Sequence, residues 1–437
     1  MEIDGNSQGV DSGKALLAGK FAACASCNVN PRRVTMQMRM DSGSHKSRHE
    51  SGQQLSRLEP DRAASDPDPA AQRSRFPAVY GVLQDAIAAH AFPGCAFGVL
   101  AGGEAVLLDG LGRFTYEDDA PAVTSHTIYD LASLTKVMAT TAVAMHLCQL
   151  GLLNVDTPLG EVLPEFILGR DPTERRRHVR LRHLLAHCSG LPGYVEFFRT
   201  VNTPTALTHS CLDLPLDAEP GTRVEYSDPG FIVLGKALEV LTHMRLTELV
   251  RRHVLHPLGL RSTGFGPPLA ARPFIPPTEE DATFRHRRIQ GEVQDENAYI
   301  LKGVAGHAGL FSNVADVLCF AAAILDSAAS CAHPATDPLT GAGLFAPEIV
   351  EQFAQRQAPE GSSRALGWDT PSGNSSSGRS FSPHSIGHLG YSGCSLWIDL
   401  DAAIAVVLLT NRTWPDRKSQ LIREIRPLFH DAVRAAL

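Results

Sequence analysis

The chain has 437 residues, of which 43% are apolar and 20% charged, and its formal net charge is −7. That composition fits a globular protein with ample core, and so small a charge on so long a chain excludes a nucleic-acid platform or a polybasic membrane binder. The longest apolar runs, such as Ala402 to Leu409, fall far short of the roughly 20 residues that a membrane-spanning helix needs.

Residues 1–74 read as a disordered tail. Between Asp41 and Arg75 only Leu55 and Leu58 are large and apolar, too little to offset the entropy of ordering. The run Ala15 to Cys24 faintly resembles an export signal, but Lys20 interrupts it and Glu2, Asp4 and Asp11 precede it. The nine cysteines are odd in number and, apart from Cys24 and Cys27, widely spaced. They read as free thiols of a reducing compartment, so a cytoplasmic location is expected, with periplasmic or lipoprotein export as the alternative; a monomer is also expected.

Folded sequence is expected over 75–437, as a single domain. Val79, Val82, Leu83 and Ile87 recur at helical spacing, and Pro93-Gly94 is the stop signal. Cys95 to Leu100 and Ala105 to Leu108 form a hairpin around Gly102-Gly103. A helix is predicted from Ser133 to Leu150, and Thr157-Pro158 has the pattern of a cap and first-turn proline. Helical pieces recur through Leu255, and Pro371 to Ser382 reads as an exposed loop. Ser395 to Ile398 and Ala402 to Leu409 make a second hairpin, before an amphipathic segment, Leu421 to Leu437, interrupted by Pro427. Hairpins at both ends and helices between them predict an α/β chain of the α+β type. Its antiparallel sheet is built from both chain ends and flanked by helices, beside a mostly helical region.

The sharpest chemical signal is Ser133-Leu-Thr-Lys136 at a helix start. Spacing of three puts both side chains on one face. A serine hydroxyl needs a neighbouring base to become a nucleophile, and a lysine serves if its surroundings lower its pKa. Downstream come Tyr226-Ser-Asp228, in the phrase from Glu219 to Gly235, and Gly387-His388-Leu-Gly390-Tyr391, which leads into the second hairpin.

This ordered set, S-x-x-K, then Y-x-N/D, then K/H-x-G on a strand, resembles the penicillin-recognising serine hydrolases. That superfamily includes class C β-lactamases, D-alanyl-D-alanine peptidases and family VIII-type esterases. The phrases Leu181 to Pro192, Gly303 to Ser312 and Leu409 to Arg412 support the resemblance, which covers roughly residues 76–437. It implies a β-lactamase-like fold and a covalent acyl-enzyme on Ser133. It makes Lys136 and Tyr226 the base and proton relay, and the backbone N–H groups of Ser133 and Tyr391 the oxyanion hole. Gly390 fits where a backbone edge must approach substrate closely.

Three positions depart from the β-lactamase pattern. Asp228 stands for the usual asparagine, His388 for a lysine and Leu389 for a hydroxyl residue. Each change weakens the holding of an anionic substrate, which favours neutral esters or amides over β-lactams. The expected function is therefore ester or amide hydrolysis. The alternatives are a β-lactamase or D-alanyl peptidase, or a penicillin- or peptidoglycan-binding protein without turnover. No metal or organic cofactor is implied. His183-x-x-x-His187 lacks the glutamate of a zinc protease, and His384 with His388 shares that spacing. His307 could line the cleft, though packing behind it is the preferred reading, and Asp295-Glu296-Asn297 could form an acidic rim but reads as a solvated loop. Asn313-x-x-Asp316 is a capping signal.

Overall fold

The structure is a computed structural model that describes residues 68–169, 174–329 and 344–437. The expected tail up to residue 67, with Cys24 and Cys27, lies outside the described residues, as does Cys331. Order begins earlier than residue 75. A helix, Pro69–Arg75, is capped by Asp68, and its Gln72 side chain is buried and accepts a hydrogen bond from Leu108 N–H.

The main sheet has five antiparallel strands. In spatial order they are Glu104–Gly112, Gly94–Ala101, Ile404–Thr410, Ser395–Asp399 and Ser385–Leu389. The two ends of the chain thus meet at the pairing of Gly94–Ala101 with Ile404–Thr410, as the two hairpins predicted. Gly102 and Gly103 both take positive φ in the first turn, the geometry that matches strand twist.

The strand Ile404–Thr410 is an unbroken apolar run because both of its faces are covered. Val406 and Leu408 point into a layer with Val79, Leu83, Phe97 and Phe429. Ala405, Val407 and Leu409 point into the larger core shared with the helical region. The helices Pro77–Ala88 and Ile422–Ala436 supply the first layer. The helix Val314–Ala329 lies on the opposite face, close over Gly98, where a Cβ would meet Val314 Cγ1 at 2.6 Å.

Several boundaries differ from expectation. The helix Pro77–Ala88 ends before Pro93-Gly94, at a turn where His90 takes φ 58°. Thr157 does not cap, and the short helix Leu159–Val162 begins after Pro158. Pro427 lies inside a continuous helix, whose buried stripe of Ile422, Arg426, Phe429 and Val433 outweighs the one lost backbone bond. Residues 371–382 form no helix or strand, and 372–374, 379 and 380 are exposed as expected of a loop, while Ser377 and Phe381 are buried. Asn313 caps as expected, its Oδ1 accepting from Asp316 N–H at 3.0 Å. Among the described residues no helix is long and apolar enough to cross a membrane.

Candidate active site

The short strand Tyr129–Asp130 pairs with Leu310–Ser312, and Leu131 N–H continues the ladder to Leu310 O at 3.0 Å. The chain then turns sharply. Ala132 adopts φ 46°, a strained conformation for a residue with a Cβ. Ser133 follows, and the helix starts after it rather than at it. Its first part is a π-helical stretch, Lys136–Thr141, wholly buried, which runs into the α-helix Ala142–Gln149. Such wide turns are a recurring feature of functional helices.

The i, i+3 relation between Ser133 and Lys136 is realised, with Nζ 3.0 Å from Ser133 Oγ. The Lys136 side chain is fully buried. Nζ also donates to Asp228 Oδ1 at 2.6 Å and to His307 O at 3.2 Å. Three acceptors match the three protons of an ammonium. Burial alone would lower its pKa. The Asp228 carboxylate and Tyr226 outweigh that, and the net shift is upward. This corrects the expectation of a lysine neutralised by its surroundings: the aspartate at 228 holds Lys136 charged.

Ser227 caps the helix Asp228–Thr242 by accepting from Gly230 N–H, which sets Asp228 in the first turn and Tyr226 just before it. Lys136 Nζ lies 4.8 Å from the Tyr226 ring centroid. The other neighbours of that ring are His187, with centroids 4.4 Å apart, His388 at 5.9 Å, and Arg364, whose guanidinium carbon is 5.2 Å from the ring centre. Burial, reinforced by nearby cations, pushes both histidines well below their ordinary pKa, so both are neutral near pH 7. His187 Nδ1 accepts from Ser227 N–H, and His388 Nδ1 donates to Leu389 O. His388 therefore supplies no fixed charge.

The opposite wall is the turn after the strand Ser385–Leu389. Gly390 stands where a Cβ would meet Leu131 O at 2.5 Å, a backbone contact that cannot give way. Ser392 Oγ donates to Asp130 O at 2.8 Å, which ties this turn to the one carrying Ser133. Neither Ser133 N–H nor Tyr391 N–H is engaged by a backbone carbonyl among the described residues, so both are free to face an oxyanion.

The cleft has two arms that share Ser133, Tyr226 and Tyr391. One is a cavity of about 480 Å³ that includes Tyr194, Glu225, Asp295 and Glu296. The other, of about 500 Å³, includes Arg364, Arg412, Arg423 and Arg426, with Asp369 as its carboxylate. The first arm is acidic and the second basic. Asp295-Glu296-Asn297 is thus no solvated loop: Glu296 and Asn297 are buried, and Asp295 bonds His307 Nε2 at 2.9 Å. Burial opposes ionisation of Asp295, but His307 and the Ala298 N–H outweigh it and hold the carboxyl below the usual carboxylate range. His307 stands behind this carboxylate and reaches the centre only through its carbonyl.

Arg426 is buried with its guanidinium on the carbonyls of Gly390, Gly393 and Cys394, and burial pushes it down to about 10. Arg412 Nε bonds Tyr391 O at 2.8 Å. Arg364 is 3.9 Å from Asp369. These arginines and Tyr194 escaped the sequence reading because no spacing links them to Ser133. The set-aside histidines have other partners. His183 Nδ1 accepts from Arg180 N–H, and His384 lies at the surface between Glu351 and Asp401. The six described cysteines, 95, 148, 188, 211, 319 and 394, are all unpaired.

Comparison with known proteins agrees with this architecture. A family model described as Beta-lactamase matches residues 80–426. A protein of Salmonella agona (strain SL483) named "Putative D-alanyl-D-alanine carboxypeptidase" is 30% identical over 317 residues, 66% of this chain and 70% of that protein. Among solved structures, EstCE1, a hydrolase with promiscuous acyltransferase activity, superposes with TM-score 0.67 at 22% identity, over 84% of this chain and 100% of its own. A penicillin-binding protein homologue from Caulobacter crescentus does so with TM-score 0.65 at 17% identity, over 86% and 99%. Fold and family together define a serine hydrolase of the penicillin-binding type. The chain belongs to the Beta-lactamase family.

Proposed function

We propose that Ser133 is the nucleophile of an acyl-transfer cycle that hydrolyses esters or amides of small acyl groups. The observation that carries this reading is the Lys136 Nζ to Ser133 Oγ contact of 3.0 Å on the floor of a cleft walled by Tyr226. As Oγ bonds the acyl carbon, its proton passes to the Lys136–Tyr226 pair, and the developing oxyanion faces the N–H groups of Ser133 and Tyr391. The pair then protonates the leaving group. Water enters, gives its proton to the same pair and releases the acid, restoring Ser133.

The reactive protonation state has one proton fewer than ammonium plus phenol, because neither of those can accept a proton. Asp228 opposes that loss by holding the ammonium, so it tunes when the base becomes available.

The test is a p-nitrophenyl ester followed by mass spectrometry. Wild type turns over through a transient adduct on Ser133, and Ser133→Ala loses at least about 10³-fold in kcat while keeping its melting temperature. Full activity in that variant would refute the mechanism, and a permanent single adduct on wild type would favour a binding protein without turnover.

A second reading, cleavage of peptides that end in a free carboxylate, is supported by the four arginines of the basic arm. They replace the cation missing at His388, so anionic leaving halves are better served than the local motif suggests. A substrate panel of neutral esters, a chromogenic cephalosporin and D-amino-acid peptides separates the two. We also propose a cytoplasmic location, supported by the six unpaired thiols among the described residues, and a monomeric state, which cell fractionation and sedimentation test.

A further inference from the structure

We propose that Asp130 is a positioning residue that suspends the nucleophile turn and the acidic wall of the cleft from one carboxylate. This rests on the reading of Ser133 as the nucleophile. Asp130 Oδ1 accepts from Ala132 N–H at 2.9 Å, and Oδ2 accepts from Gln294 N–H at 2.8 Å. Its carbonyl accepts from Ser392 Oγ at 2.8 Å. One residue therefore joins three walls: the turn before Ser133, the segment that carries Asp295 and Glu296 into the cavity, and the turn that bears Tyr391.

The chemistry of the residue type is specific. Two N–H donors approach two different oxygens, and only an ionised carboxylate offers an acceptor to both. An asparagine would answer one of them with its own NH₂. The site carries the cost of a buried carboxylate, and among the described residues no ion pair offsets it. Ala132 adds local strain at φ 46°, which the Asp130 bond to its N–H offsets. Loss of that bond frees the backbone immediately before the nucleophile, where displacement of about 1 Å costs on the order of 10²-fold in rate.

The same arrangement makes the centre acid-sensitive. Burial raises the Asp130 carboxyl to about 6, against the two amide bonds, which lower it. Of the charged groups that face it, Asp295 raises it further and Arg285 opposes, and the Cys394 thiol packs on its carbonyl side. Protonation puts a hydrogen on one oxygen, and either Ala132 N–H or Gln294 N–H loses its acceptor.

The experiment is labelling of Ser133 by a fluorophosphonate, beside hydrolysis of neutral p-nitrophenyl butyrate, from pH 4.5 to 8. Wild-type labelling is expected to fall in a step as pH drops through about 6. Asp130→Asn is expected to label about 10- to 100-fold more slowly at pH 7.5, without that step, and to lose kcat with little change in KM. Labelling of the variant within twofold of wild type, or a step that survives the substitution, would overturn the proposal. Wild type that never labels would instead sink the serine-nucleophile reading itself. Amide hydrogen exchange on wild type serves if the variant fails to fold. Protection at Ala132 or at Gln294 should be lost as pH falls through about 6, and unchanged protection at both would also overturn the proposal.

Discussion

Lys136 and Asp228 face each other at 2.6 Å beside Ser133, with the lysine fully buried and the aspartate at the first turn of its helix. An asparagine at 228 would hydrogen-bond the amine without favouring its charge. The aspartate favours the charged form, and the raised lysine pKa follows. Asp228→Asn removes the largest upward influence and leaves burial to lower the pKa. The acid limb of kcat/KM for a neutral ester is therefore expected to move to lower pH. A pH–rate profile checks this, and an unmoved limb would mean that Lys136 does not govern the base.

Stability should fall on mild acidification. His187 and His388 are buried and held well below their ordinary pKa, and His430 is brought down to about 4, by burial first in each case. Below about pH 6.5 the unfolded chain takes up protons at these positions and the folded chain does not. Their contribution is complete above that pH and is lost as pH falls towards the folded-state values. Each such group costs about 1.4 kcal/mol per pH unit across that window. Thermal melts from pH 7.5 to 5 should show a steep decline that His430→Gln makes shallower. A Tm independent of pH in this range would contradict the buried neutral state.

The basic arm predicts a split between binding and chemistry. Arg423 is an exposed member of that arm. Arg423→Gln should raise KM for an ester with a carboxylate on its leaving half by about 3- to 10-fold, as expected for an exposed charge contact. Its kcat on p-nitrophenyl butyrate should be unchanged. Equal effects on both esters would remove this arm from substrate recognition.

Close backbone approach at the oxyanion turn gives a fourth outcome. Gly390→Ala sets a methyl against Leu131 O, at 2.5 Å in the present geometry. Either that turn or the turn that carries Ser133 must shift. We expect a loss of about 10²-fold or more in kcat with only a few degrees lost in Tm, measured on the same ester.

The two hairpins were legible because period-2 apolar runs and a Gly-Gly turn act locally, and Ser133-x-x-Lys136 was legible because helical spacing is local too. The continuous helix through Pro427 was not, since its buried stripe matters only against the Pro77–Ala88 helix and the sheet. Asp295-Glu296 looked like a solvated loop because carboxylates usually seek water. Here His307 and Arg417 compensate them from 12 and 121 residues away.

From its order of residues alone, the chain determined its two hairpins, the helix that carries Lys136, and the spacing that puts Ser133 beside Lys136. Only the folded arrangement decided that Lys136 is charged, that His388 is neutral, and that one arm of the cleft is acidic and the other basic. Charge state depends on burial and on neighbours a few ångströms away. Those neighbours come from segments that linear spacing does not connect.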